Sequence, residues 1–368
     1  MAGKTALVVG GTGVTGPHVV NGLLGRGYAV TILHSGQHEL DFDAPVEHLH
    51  GDAHFPETLQ TLLGNRSFDV TVAMYGRLRH VAEVMRGKTG QFLATGGVFY
   101  RGWSRRKMGD DPVMYACLQM PTPEEHPLAE DSPSGLISKG VQSERLVIQM
   151  SNDGHFAGSV FRLPRIYGPR ALAGVEWSII RRLLDGRRRI IVPDGGMIAE
   201  TRVYAANAAH MVLLALDHPE QAAGQVFNTG DETATTLREW ILAVAAALGV
   251  ADLQLVSVPY ACAFPAYPYA RDPFVAGHRV LDLAKARVRL GYRDRVPFAD
   301  AIAQTVRWYE KNRPEAGGEA ERQLGDTFDY AAEDALIGQV DAFSAAANAI
   351  PHEPFNFVHP YRHPVAPA

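Results

Sequence analysis

"VVGGTGVTGPHVV", Val8 to Val20, joins an apolar run to four glycines within seven residues and then to a helix-like pattern. Gly11, Gly13 and Gly16 fit the spacing GxGxxG, while Gly10, Gly13 and Gly16 fit GxxGxxG. Glycine answers three physical demands there: a turn at positive φ, close approach of the backbone to a pyrophosphate, and tight packing of helix on strand. The start of the following helix offers N–H groups and the positive end of its dipole to phosphate oxygens. Because a strand pattern precedes the motif and a helix pattern follows it, a dinucleotide site is predicted on Gly10, Gly11, Thr12, Gly13, Val14, Thr15 and Gly16.

Outward from this loop the chain alternates β-rich runs with amphipathic segments. The strand candidates are TALVV (5–9), AVTIL (29–33), VTVAM (70–74), QFLAT (91–95) and AGSVFRL (157–163). Helical patterns separate them, an alternation that builds an α/β fold: a doubly wound, Rossmann-type parallel sheet. After Gly168 the order is mixed: helix 175–185, strand RIIVP, strand TRVYA, helix 205–217, strand QVFNTG and helix 236–249. That order predicts a smaller C-terminal substrate lobe interleaved with the sheet. The expected division is 1–170 for dinucleotide binding, completed within 200–232, then 171–200 with 233–314 for the lobe, and 315–368 as an extension. The stretch 96–134, rich in Pro, Asp, Glu and Met, is expected to be a substrate-facing loop.

Composition narrows the classes. Of 368 residues, 46% are hydrophobic and 20% charged, with a net charge of -5, ordinary values for a soluble protein with a substantial core. The basic runs RGWSRRK (101–107) and RRLLDGRRR (181–189) are too short for a nucleic-acid face, so no nucleic-acid partner is expected. Cys117 and Cys262 are the two cysteines, which excludes a disulfide scaffold or a cysteine zinc site. Neither a leader pattern nor a membrane-length apolar run is found, and a cytoplasmic location is expected. The partner expected is a small-molecule substrate, with a homodimer left open.

The choice of dinucleotide rests on the end of the second strand, TILHSGQHE. His34 and Ser35 stand where an NAD site usually has a carboxylate and an NADP site often has Arg. Without the carboxylate nothing repels a 2′-phosphate, so the expected cofactor is NAD(P), with NADP slightly favoured.

Further stretches, in order, resemble the extended short-chain dehydrogenase/reductase family, the epimerase/dehydratase group. GDAHFPETL (51–59) resembles its Gly-Asp segment, which implies adenine contact by Asp52 and Ala53. DVTVAMYG (69–76) resembles the strand passing the cofactor ribose, with Met74, Tyr75 and Gly76 at its end. FRLPRIYGPR (161–170) resembles the segment near the nicotinamide, which implies Pro164 and Ile166. AAGQVFNTGDETATTLREW and HRVLDLAKARVRLGY resemble the C-terminal lobe, so that the likeness runs over residues 4 to 312.

Family chemistry uses a Ser or Thr with a Tyr-x-x-x-Lys pair, the Tyr exchanging a proton with the substrate oxygen and the Lys holding the ribose. LATGGVFYRG implies Thr95 as the hydroxyl. SPSGLISKGVQSERLV (132–147) stands where the pair belongs but contains no tyrosine. Matching the lysine to Lys139 puts Gly135 at the Tyr position, whereas matching the helix glutamate to Glu144 puts Leu136 there and Gly140 at the lysine. Tyr100, Tyr75 and Tyr115 are the replacement candidates, and the expected catalytic set is Thr95, Tyr100 and Lys139, with Lys139 also on the cofactor.

Two further groups carry chemically active side chains. His80 with Arg77 and Arg79 reads as a solvated helix start or an anion contact. His359 and His363 have i, i+4 spacing, but the prolines of HPYRHP deny them a helix, and no metal site is expected. A tail carrying Phe355, Phe357 and Tyr361 is read as covering the cleft, contacting a second copy, or disordered. Three functions stay open: an NAD(P)-dependent oxidoreductase acting on a carbonyl or hydroxyl with a non-standard proton donor; an epimerase or dehydratase for a sugar-nucleotide-like substrate; and a catalytically inactive nucleotide-sensing or binding protein.

Overall fold

The computed structural model describes residues 3–74, 78–103, 114–115, 118–130, 132, 134–171, 174–270, 275–357 and 360–361. Strands β1 (Thr5–Val9), β2 (Ala29–His34), β3 (Glu47–His50), β4 (Phe68–Met74), β5 (Thr89–Gly97), β6 (Ala157–Leu163) and β7 (Gln225–Asn228) form one sheet. All neighbours pair in parallel, in the order β7-β6-β5-β4-β1-β2-β3. The predicted doubly wound sheet is the one found. Strand β3, EHLH, has no apolar alternation to announce it; its half-exposed residues pair at the sheet edge with β2.

The central strands read as unbroken apolar runs because both sheet faces are covered. Along β1, Ala6 and Val8 pack into one core while Leu7 and Val9 pack into the other. The first core is closed by α1 (Gly16–Leu24) and α6 (Ala205–Asp217), through Val19, Val20, Leu23, Met211 and Leu213. Those two helices approach closely, since a methyl on Gly22 would lie 2.2 Å from Leu213 Cδ1. The second core is closed by α2 (Pro56–Leu63), α3 (Leu78–Val84) and α4 (Gly135–Asn152), through Leu59, Val81, Val147 and Met150. Each such fully buried aliphatic side chain contributes roughly 1.5–3 kcal/mol.

The segments after β6 build a smaller layer on α5 (Glu176–Leu184), α7 (Leu237–Ala247) and α8 (Phe298–Lys311). Strands Arg165–Tyr167 and Arg202–Tyr204 pair in parallel, as do Arg189–Pro193 and Gln254–Val258. Helix α7 opens with a reciprocal cap in which Thr236 Oγ1 accepts from the Glu239 N–H and Glu239 accepts from the Thr236 N–H. By contact the chain divides into Met1–Phe328, which holds the sheet and this layer, and Asp329–Ala368, which contains α9 (Tyr330–Asn348). Among the described residues no helix is long and apolar enough to cross a membrane.

Candidate functional site

The sheet order reverses between β1 and β4, and ligands of such folds sit outside the strand ends at that point. There β1 runs into the glycine turn and β4 ends at Met74, with Val9 in register with Ala73. The four glycines have different reasons to be there. Gly10 has φ 95°, and a methyl on it would lie 2.8 Å from the Met74 carbonyl oxygen. A methyl on Gly11 would lie 2.9 Å from Ile32 Cγ2, and one on Gly16 only 2.3 Å from the Gly11 carbonyl oxygen. Those three positions are closed by the protein itself.

Gly13 is different: it is exposed, and a methyl there would meet only the Gly10 oxygen, at 3.8 Å. The fold leaves that space open. Behind it α1 begins with Pro17 in its first turn and no acidic residue there, so nothing cancels its positive end. In the same turn Thr12 and Val14 are half-buried and Thr15 is buried.

Around this turn the other expected cofactor residues sit at the strand ends. His34 closes β2 and is 6% exposed; burial holds its imidazole below the ordinary value, against the opposing pull of Glu39. Ser35 is exposed in the following turn. Asp52 lies just past β3, where its Oδ1 accepts from the His54 N–H at 2.8 Å and faces His54 Nδ1 at 2.6 Å. Ala53 packs half-buried on the second core, and Met74 is buried. Pro164 is buried, and Ile166 packs with Leu163, Val203 and Ala208. Tyr75, Gly76 and Arg77 lie outside the described residues, as do His359 and His363.

Thr95 stands at the same edge, paired in register with Met74 on β4 and Phe161 on β6, and is 2% exposed. Lys139 is exposed on α4. Leu136 of α4 is 66% exposed, whereas Gly140, one turn on, is covered by the Phe99 ring: a methyl at 140 would lie 2.3 Å from Phe99 Cε2. Tyr115 belongs to the short strand Met114–Tyr115, which pairs with Val275–Ala276. His80 lies on α3 with Nδ1 3.2 Å from the His54 carbonyl oxygen.

Tyr100, expected as the proton donor, is packed into the interior. Its ring is 1% exposed, its hydroxyl donates to Asn228 Oδ1 at 2.7 Å, and it accepts from Arg162 Nη1 at 2.6 Å. Arg162 in turn forms a two-pronged ion pair with Glu144 of α4, at 2.9 and 2.5 Å, and donates to the Glu124 carbonyl. Burial pushes the Tyr100 phenol well above its ordinary value, only partly opposed by Arg162. Tyr100 is thus a fastening between β5, β6 and β7.

Two features escaped the sequence reading. A cavity in the smaller layer is lined by Ile198, Glu200, Arg202, Tyr260, Tyr269 and Arg279; nothing in the spacing of these residues brings them together. The second is a cluster of His34, Glu39, His48 and His50 at the β2 and β3 ends. Its one signal was four such residues within seventeen positions, hidden because β3 was not recognised as a strand.

No family model matches the chain. Over 198 residues it is 32% identical to the dTDP-glucose 4,6-dehydratase of an Actinoplanes strain, covering 52% of this chain and 55% of that protein. Thus it spans about half the length of that relative. It is 24% identical over 337 residues to the UDP-N-acetyl-alpha-D-glucosaminuronate decarboxylase of Bacillus cytotoxicus, covering 84% of this chain and 98% of that one. Among solved structures, the Bacillus anthracis dTDP-glucose 4,6-dehydratase in complex with NAD superposes with a TM-score of 0.61 at 17% identity, over 84% of this chain and 97% of that one.

Proposed function

The homologues and structural neighbours of this chain are extended short-chain dehydrogenase/reductases, and on that premise we propose an NAD(P)-dependent enzyme acting on a hydroxyl or carbonyl of a sugar-nucleotide-like molecule. The observation that carries it is Gly13: a position the protein leaves open, on a turn whose other three glycines the fold itself requires. A pyrophosphate would rest on the 10–16 turn and the start of α1, with the adenosine end toward His34, Ser35 and Asp52 and the nicotinamide end toward Met74, Pro164 and Ile166. The bound dinucleotide would supply the hydride acceptor and donor.

This chain's own residues then have limited tasks. Thr95, at the sheet edge beside Met74, is a hydrogen-bonding hydroxyl for the reacting oxygen. Lys139, one face of α4 away from Gly140, is the cation for the ribose side. Tyr75, next after β4 in the sequence and outside the described residues, and Tyr115 stay as candidates for the missing proton donor. NADP is favoured over NAD because no carboxylate ends β2; Glu39 nevertheless faces His34 Nε2 at 3.8 Å.

A second reading, a nucleotide-binding protein without turnover, is favoured by one observation: the alternative Tyr and Lys positions hold Leu136 and Gly140, the latter under the Phe99 ring. Thermal unfolding with NAD, NADH, NADP and NADPH in parallel, after recording the absorbance of any nucleotide carried through purification, tests both. A shift with one pair establishes the cofactor, and a screen of nucleotide sugars then separates turnover from binding alone. No shift with any of the four, and no carried nucleotide, refutes the proposal.

A further inference from the structure

Three imidazoles and a carboxylate meet at the sheet edge. His48 and His50 are two apart on β3 and so share a face, and the parallel register places His34 opposite His50 and Ile32 opposite His48, which brings His34 to that same face. Glu39 returns to them from the β2–β3 connection. Its Oε2 lies 3.0 Å from His48 Nδ1 and 3.8 Å from His34 Nε2, and its Oε1 lies 2.9 Å from His50 Nε2. His34 Nε2 is 3.1 Å from His48 Nδ1.

The proton arrangement depends on the His34 tautomer. The Gly36 N–H donates to His34 Nδ1 at 3.3 Å, which puts the neutral ring's proton on Nε2, facing His48 Nδ1. His48 Nδ1 must then accept, and its lone pair faces the Glu39 carboxylate, itself an acceptor, at 3.0 Å. Protonating His48 Nδ1 instead satisfies Glu39 but sets two N–H groups against each other. With the His34 proton on Nδ1 instead, at the cost of the long Gly36 contact, Nε2 turns a lone pair inward and the conflict is gone; in that tautomer His34 Nε2, His48 Nδ1, His50 Nε2 and a Glu39 oxygen are four donor atoms converging on one point that a cation can occupy.

The dimensions suit such an ion. Nitrogen and oxygen ligands about 2.0–2.1 Å from a four-coordinate zinc stand about 3.3 Å from one another. Here the four ligand atoms all lie within 4.8 Å, so the widest pair has to close by about 1.5 Å. Three neutral imidazoles with one carboxylate suit zinc and its neighbours among transition metals rather than magnesium or calcium, which take oxygen. We propose that His34, Glu39, His48 and His50 bind one divalent transition-metal cation of the zinc class. The assignment shares His34 with the dinucleotide reading but needs no nucleotide, so zinc binding without nucleotide tests it separately.

The test uses the full chain, stripped with a chelator and titrated with zinc alone against a chromophoric zinc indicator. Glu39 and His50 are more than half exposed, so Glu39→Gln and His50→Asn leave the core untouched. One zinc per chain, weakened at least ten-fold by each variant, together with the visible absorption of tetrahedral cobalt in the same site, is the expected result. Absence of stoichiometric binding overturns the assignment. So does binding that survives both variants but is lost in the double variant His359→Asn/His363→Asn, which would move the metal to the tail.

Discussion

Replacing Gly13 by alanine should make the protein more stable and less able to bind. The backbone at 13 is outside the left-handed region, and the added methyl meets nothing closer than the Gly10 oxygen at 3.8 Å. At such a position Gly→Ala stabilises by about 0.4–1 kcal/mol, because it narrows the unfolded ensemble. At about 2 °C per kcal/mol for a chain of this size, the unliganded Tm should rise by about 1–2 °C. The same methyl projects where the pyrophosphate is to lie. A dinucleotide at a hundred times its Kd adds about 2.7 kcal/mol, a shift of about 5 °C in the native protein. In Gly13→Ala that shift should vanish. Gly16→Ala is the control, since its methyl would sit 2.3 Å from a backbone oxygen; it should lower the unliganded Tm sharply. Scanning calorimetry with and without nucleotide reads both quantities. An undiminished ligand shift in Gly13→Ala would refute the reasoning, as would a fall in its unliganded Tm.

Two further outcomes follow from the interior. Tyr100→Phe removes a hydroxyl that Asn228 and Arg162 both use, so stability should drop by about 1–3 kcal/mol while turnover per folded molecule on any substrate found stays unchanged; lost turnover at full stability would return Tyr100 to the mechanism. Asp231 is buried, and burial raises its carboxyl to about 6, although Asn207, the Tyr204 N–H and Tyr167 all donate to it. A carboxyl raised in the folded state holds its proton more tightly there, so its charged form costs stability above about 6, and that cost is relieved as pH falls toward the unfolded value near 3.8. Relative to Asp231→Asn, the native protein should therefore lose up to about 3 kcal/mol between pH 4 and pH 7; urea unfolding at a series of pH values that shows no such divergence contradicts the assignment.

The sheet was legible because its central strands are buried on both faces and their apolar runs admit little else. Val8 to Val20 carried the switch point by the same logic, since each glycine there is forced by a neighbouring backbone or side chain or kept open. Strand β3 was not legible: EHLH has one apolar residue, and its place depends on pairing with β2 at the edge. With it went the His34, Glu39, His48 and His50 cluster, whose members converge only once that register is known. The surroundings of Tyr100 were not legible for a different reason. The spacing from Thr95 placed it at a plausible distance, but β5 turns its ring inward, onto Arg162 and Asn228, residues 62 and 128 positions away. Sequence distance along a strand exit says nothing about which side of the sheet receives the hydroxyl.

Packing governs positions 136 and 140, where one alignment of the family resemblance would put the Tyr and the Lys. Helix α4 is held to the sheet by Glu144 through its buried pair with Arg162, so its register on β6 is fixed. With that register fixed, residue 140 faces the Phe99 ring, and any side chain there collides with it at 2.3 Å. The same ring lies 3.0 Å from where a methyl on Gly97 would be, so two glycines, one on β5 and one on α4, make room for it. Restoring a lysine at 140 would require Phe99 to leave a half-buried position, and restoring a tyrosine at 136 would not by itself bring a cation beside it. On the proposed reading, proton transfer would therefore have to be arranged around Phe99 and without a side chain at position 140.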